Sequence, residues 1–190
     1  MSTGTGTVQI KGAVLKARLA LIEQMAPGTG LAAVLARLTA AEAATLRGLL
    51  PTSWYPFELG KRLDAAIVNE LGGGRPEFFE RIGAASAEQN LRGVHRQFLA
   101  EGDPQEFLSR APMIYAFYYD QGRREYERTG PSEAVLTTHG AEVFSVPDCA
   151  TVVGWHRRGL EMCGARNPRV VEEECRARGG DVCRYRLSWD

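Results

Sequence analysis

The sequence contains little lysine, little histidine and no excess of either charge. Its lysines are Lys11, Lys16 and Lys61, and its histidines His95, His139 and His156. The 23 basic and 23 acidic residues cancel to a formal net charge of zero. A balanced surface offers polyanions no general attraction, so nucleic acid is not expected as a partner. Short basic runs such as GWHRRG (154–159) are interspersed with acids and read as solvated faces. No run approaches the ~20 apolar residues of a spanning helix. The polar start MSTGTGTVQIKG lacks the apolar segment of a secretion signal. A cytoplasmic protein that does not engage membranes is therefore expected. G-x-S-x-G, H-E-x-x-H and P-loop signatures are also missing, and the chain is expected not to be an enzyme.

What remains is ordinary globular material. Apolar residues make up 44% and charged residues 24% of 190 residues, enough for one domain with a substantial core. Residues 1–7 are expected to be disordered and 8–190 to form that domain. Apolar positions Ile10, Val14, Leu15, Leu19 and Ile22 follow helical spacing, and Leu59, Leu63, Ile67 and Leu71 repeat it. Thr39 to Glu42 (TAAE) has the form of a capping box. Asp103 to Glu106 (DPQE) combines an Asp cap with Pro in the first turn. A helix from Pro76 is expected to break near Gly83 and resume through His95 and Phe98. After Gly122 the period changes: RREYERT and EAVLTTHG read as strands joined at Gly130-Pro131. A helix then runs from Pro147 towards Gly164. The predicted fold class is α+β, with a helical N-terminal two-thirds packed on a small antiparallel sheet and a strand-strand-helix-strand-strand C-terminal unit.

The last hairpin carries the chemistry. In CRYRLSW, residues Cys183, Tyr185, Leu187 and Trp189 alternate with polar ones, the mark of a half-buried strand. A turn centred on Gly179 would set Cys175 opposite Cys183, with Cβ atoms ~4.5–5.5 Å apart. Two thiolates at that spacing can share a zinc ion, but a structural site needs four ligands. Cys149, Cys163 and one of Glu172, Glu173 or Glu174 are candidates to complete it. Glu173 shares a strand face with Cys175, whereas Glu172 needs a bulge or a non-strand start to join it. Buried thiols that merely pack the core remain the alternative on these residues.

A second candidate site is aromatic. Tyr115, Phe117 and Tyr118, with Trp54 and Trp155, suit the wall of an apolar ligand pocket. The alternative is core or dimer interface. None of the three histidines stands out as a haem ligand, and haem is not expected.

The segment from Val146 to Leu187 resembles the C-terminal part of the 4-vinyl reductase domain, the aromatic-sensing module of phenol-responsive bacterial activators. The resemblance rests on a cysteine opening a helix (Cys149), Gly154-Trp155 five residues later, and Glu172-x-x-Cys175 followed by x7-Cys183. It implies a structural zinc held by Cys149, Glu172, Cys175 and Cys183, with Cys163 a bystander. The wider fold resembles haem-type nitric-oxide sensors and vesicle-tethering subunits that carry an acyl chain. The whole chain is also similar to an uncharacterised myxobacterial paralogous family. No ATPase domain or DNA-binding helix pair follows Trp155 and the hairpin within these residues, so a sensor of this kind is expected to report through a protein partner or its own homodimer. The reading is a small ligand-binding sensory module for an apolar or aromatic molecule. The alternative is an adaptor of the same fold with a filled core and neither ligand nor metal.

Overall fold

The computed structural model describes residues 7–93, 95–141 and 144–190. The disorder expected at residues 1–7 thus falls almost wholly outside the described residues, while Thr7 is exposed and belongs to no regular element.

A short strand β1 (Gln9–Lys11) leads directly into α1 (Gly12–Met25), followed by α2 (Gly30–Leu35) and α3 (Ala40–Arg47). Strand β2 (Trp54–Pro56) pairs antiparallel with β1, a two-stranded ribbon too short to show in the sequence pattern. Then come α4 (Phe57–Glu70), α5 (Phe79–Arg92), α6 (Pro104–Ser109) and α7 (Ala111–Tyr118). The C-terminal unit is β3 (Arg123–Gly130), β4 (Glu133–His139), α8 (Val146–Met162), β5 (Arg169–Glu174) and β6 (Cys183–Ser188). Its four strands form an antiparallel sheet in the order β3-β4-β6-β5. The fold class is α+β, with helices in front and the sheet behind.

Local signals account for the element boundaries. Thr39 and Glu42 form the reciprocal capping box at the start of α3. Asp103 accepts from the Glu106 amide at 2.9 Å, with Pro104 in the first turn of α6. One expectation fails. Helix α5 runs unbroken through Gly83 and ends at Arg92, so His95 precedes a separate 3-10 turn, Arg96–Phe98. Gly83 is there for approach, not for a break: a Cβ on it would lie 2.0 Å from the Thr151 carbonyl oxygen of α8.

Two apolar clusters fill the interior. Leu15, Ile22, Leu46, Leu63, Ile67 and Phe79 pack among the N-terminal helices. Leu91, Phe107, Leu136, Leu160, Tyr185 and Leu187 pack between helices and sheet. A buried ion group joins the two halves. Arg18 of α1, 1% exposed, reaches Asp64 of α4 with Nη2–Oδ2 3.1 Å and Nε–Oδ1 2.6 Å, and Asp148 of α8 at 2.9 Å. The Tyr119 hydroxyl donates to Asp148 at 3.1 Å. Removing Arg18 costs ~3–5 kcal/mol, because both carboxylates are left buried without their cation.

Burial pushes the Asp64 carboxyl up to about 7, against the opposing pull of Arg18 and with Asp148 adding like-charge repulsion. A carboxyl raised in the folded state contributes stability that is complete below its unfolded value of ~3.9 and is lost as pH rises through about 7. Asp64→Asn cannot titrate, so its melting temperature is expected to fall less than that of the parent between pH 5 and pH 8. Parallel pH profiles of the two proteins would remove Asp64 as the titrating group.

Candidate metal centre and cavity

Helix α8 begins with Ser145 accepting from the Asp148 amide at 3.1 Å and with Pro147 in its first turn. That start places Cys149 one turn in, buried and facing the sheet. The hairpin β5–β6 supplies the other groups. Its ladder runs from Arg169↔Ser188 to Glu172↔Tyr185 and resumes at Glu174↔Arg184, with a bulge between. The bulge is what brings Glu172, rather than Glu173, to the cysteines. Glu173 lies on the outer face with Arg186 at 2.5 Å. Glu174 accepts from the Asp181 and Val182 amides at 2.9 and 3.2 Å and holds the turn closed. Gly179 takes the left-handed conformation this turn needs (φ 94°). Strand β5 ends at Glu174, so Cys175 and Cys183 meet beyond the last rung of the ladder rather than within it.

The ligand atoms of Cys149, Glu172, Cys175 and Cys183 all lie within 4.8 Å of one another. Cys149 Sγ is 3.7 Å from Cys175 Sγ and 3.8 Å from Cys183 Sγ. Glu172 Oε2 accepts from Arg178 Nη1 at 2.6 Å, while its Oε1 is buried without a hydrogen-bond partner. Contact with Cys149 lowers the thiols of Cys175 and Cys183, the latter to about 7, where the Arg176 amide also donates to the sulfur. The same contacts push Cys149 up. Cys163 caps the far end of α8, buried and away from the group.

The second feature is a cavity of about 60 Å³ where α1, α5, α7, α8 and β3 meet. Tyr115, Tyr118 and Trp155 line it, joined by Val14, Ile114 and Val152. Two residues expected there lie elsewhere. Trp54 sits on β2, 37% exposed beneath the Lys11 ammonium. Phe117 points off the opposite side of α7, 52% exposed, against the His95 ring. On α7, Tyr115 and Tyr118 share the inward face and Phe117 does not, as the helical period requires.

The polar lining escaped the sequence reading. His156, inside GWHRRG, is 3% exposed and not part of a solvated face; only its neighbours Arg157 and Arg158 reach out, to Glu80 and Glu88 of α5. His156 Nδ1 lies 2.9 Å from the Val152 carbonyl, so that nitrogen carries the proton. Its Nε2 is buried without a partner. Burial lowers the imidazole to about 3, with the positive Arg124 adding to the effect. Arg124 of β3 is 8% exposed. Its Nε donates to Thr138 at 3.0 Å and its guanidinium lies over the Tyr115 ring, 5.0 Å from the centroid. Among the described residues no carboxylate pairs with it.

The family model of a protein of unknown function, DUF2378, matches residues 32–190. The chain belongs to the DUF2378 family. No curated protein matches this DUF2378 sequence significantly. Solved structures do match its fold. An Fe(II) unliganded H-NOX protein from K. algicida superposes with a TM-score of 0.74 at 10% identity, over 95% of this chain and 96% of that one. An H-NOX protein from S. oneidensis in the Fe(II)NO state gives 0.70 at 9% identity, over 95% and 99%. An oxygen-binding H-NOX domain related to soluble guanylate cyclases gives 0.66 at 11%, over 95% of each. At these identities the likeness is one of fold. Among the described residues, no helix of this DUF2378 chain is long and apolar enough to cross a membrane.

Proposed function

We propose that this DUF2378 protein is a small, non-enzymatic ligand-sensing module whose C-terminal hairpin is pinned by a structural zinc ion. The observation that carries the sensing role is the cavity between the two halves of the fold. A core built only to pack would not line a cavity with a buried imidazole whose Nε2 lacks a partner and a buried guanidinium that no carboxylate faces among the described residues. Occupation of such a cavity is felt by α1, α5, α7, α8 and the sheet at once, which suits a module that reports through a partner or a second copy. The zinc site is the one its 4-vinyl reductase resemblance implies. Two Zn–S bonds of ~2.3 Å at the tetrahedral angle set their sulfurs ~3.8 Å apart, as the Cys149 distances require. The free Oε1 of Glu172 supplies the fourth ligand, and Arg178 orients the carboxylate from outside. Three thiolates and a carboxylate close the coordination sphere, so the ion is structural rather than catalytic.

The K. algicida H-NOX protein is an Fe(II) protein and heme distortion is a feature probed in the H-NOX family, but the residues here do not fit a haem. Drug-sized ligands occupy ~300–1,000 Å³, and this cavity offers about 60 Å³. His95 does not line it; its ring is boxed by Phe98, Phe117 and Tyr118 with centroids 5.0–5.5 Å away. An aromatic ring is also too large without rearrangement, since a cavity of ~150 Å³ is known to take benzene.

A thermal-shift panel of haemin, phenol, small amides and short organic acids tests the reading. A ligand at one hundred times its dissociation constant adds ~2.7 kcal/mol and raises the melting temperature by ~5–10 °C. The expected result is such a shift with one small organic class and free haemin with an unshifted Soret band. No saturable shift with any member leaves the filled-core adaptor. Stoichiometric haemin binding overturns the assignment of the cavity.

A further inference from the structure

Resting on the sensing role just proposed, we infer that the cavity is built for a short hydroxycarboxylate, its carboxylate held by Arg124 and its hydroxyl proton accepted by His156 Nε2.

The polar lining is largely committed elsewhere. Tyr115 donates to the Gln121 carbonyl at 2.7 Å, Tyr119 to Asp148, and Thr151 to the Pro147 carbonyl at 3.1 Å. The Asn90 amide donates to Ser86 and to the Tyr118 hydroxyl at 3.2 and 3.1 Å. The Ser86 and Tyr118 hydroxyls accept there and keep a proton to donate, and two nitrogen-bearing groups stay open. The terminal nitrogens of Arg124 have no acceptor among the described residues, although the side chain is nine-tenths buried. A guanidinium so placed, over the Tyr115 and Tyr185 rings and facing no carboxylate among the described residues, suits an anion, and its planar fork matches a carboxylate. His156 Nε2 is the second. With the ring proton fixed on Nδ1 by Val152, Nε2 offers only a lone pair, so its partner must be a donor.

The ligand therefore brings an anion and a proton donor on a small frame. Val14, Ile114, Val152 and Trp155 surround whatever carbon it carries. About 60 Å³ is room for a handful of non-hydrogen atoms, given that ~10–15 Å³ of such cavity volume is enough to hold one water molecule. A neutral molecule leaves Arg124 unpaired, and a simple carboxylate leaves Nε2 unpaired.

Glycolate, glycolamide and acetate titrated into the full chain at constant ionic strength separate these contributions, read by thermal shift and by tryptophan fluorescence. Glycolate is expected to give a saturable shift. Glycolamide, lacking the charge, and acetate, lacking the hydroxyl, are each expected to bind ~10-fold or more weakly. Arg124→Met is expected to abolish the glycolate response while staying folded, because the charge it removes is offset by no carboxylate among the described residues and only the Thr138 hydrogen bond and the ring contacts are lost. Equal binding of glycolate and glycolamide, or of glycolate and acetate, overturns the inference, as does an unchanged response in a folded Arg124→Met protein. If that variant fails to fold, the three titrations on the parent decide alone. Binding of neutral molecules only sinks the hydroxycarboxylate while leaving a ligand-sensing cavity. Silence towards every member of this set and of the broader panel sinks both.

Discussion

Cys175→Ser is expected to lose the bound zinc and to melt ~8–16 °C below the parent. The size follows from linkage. Structural zinc contributes ~10–16 kcal/mol to the folding of small peptides that have no other core. This chain has two apolar clusters of its own, so only the hairpin and the start of α8 depend on the ion, and ~4 kcal/mol is the expected share. At ~2–4 °C per kcal/mol for a domain of this size, that gives the stated shift. Elemental analysis of protein purified without added zinc is expected to show one ion per chain in the parent and none in the variant. A strong chelator is expected to lower the parent to the melting point of the variant and to leave the variant unmoved. Cys163→Ala is the control: it sits at the end of α8, outside the group, and is expected to keep its zinc. Parent protein free of metal, with a melting point indifferent to chelator, would reduce the cysteines to core packing.

Much of this centre was legible in the sequence, and the reasons are local. The alternation of Cys183, Tyr185 and Leu187 forces one face inward, and those three residues are buried. Thr39, Glu42 and Asp103 act on amides three residues away, which sequence spacing captures. The choice of Glu172 over Glu173 was not legible from strand periodicity, because the bulge at Glu173 inverts the parity the period assumes. Only the resemblance pointed to it. The cavity was half legible. Tyr115, Tyr118 and Trp155 belong to it, but Phe117 falls on the wrong side of its helix and Trp54 on a different sheet. The polar lining was invisible for a different reason. Arg124 and His156 are common surface residue types in charged contexts, and their burial is decided by elements far away in the chain. The same holds for Arg18, whose partners Asp64 and Asp148 lie 46 and 130 residues further on.

Gly83→Ala and Gly154→Ala are each expected to destabilise the protein by ~3 kcal/mol or more, lowering the melting temperature by ~6–12 °C. Propensity alone predicts the reverse sign, since alanine is favoured over glycine in a helix interior by ~1 kcal/mol. The helix crossing decides. A Cβ on Gly83 would lie 2.0 Å from the Thr151 oxygen and 2.8 Å from the Trp155 nitrogen. One on Gly154 would lie 1.9 Å from the Glu80 oxygen and 2.7 Å from its Cα. Those atoms are backbone, so no rotamer change relieves the overlap and α5 and α8 must part. Gly60→Ala, also in a helix interior, meets only side-chain ends, the Leu15 Cδ2 at 3.3 Å and the Ile10 Cγ2 at 3.9 Å, and is expected to change stability by less than ~1 kcal/mol. The two damaging substitutions act on one crossing, so the double variant is expected to lose much less than the sum. Helix α8 carries Cys149 and His156, and α5 carries Ser86 and Asn90 of the cavity wall. Parting the helices therefore enlarges the cavity, and either variant that remains folded is expected to bind glycolate more weakly while retaining zinc. Thermal melts with metal analysis check both halves, and a Gly83→Ala protein as stable as its parent would show that the crossing is looser than the backbone distances require.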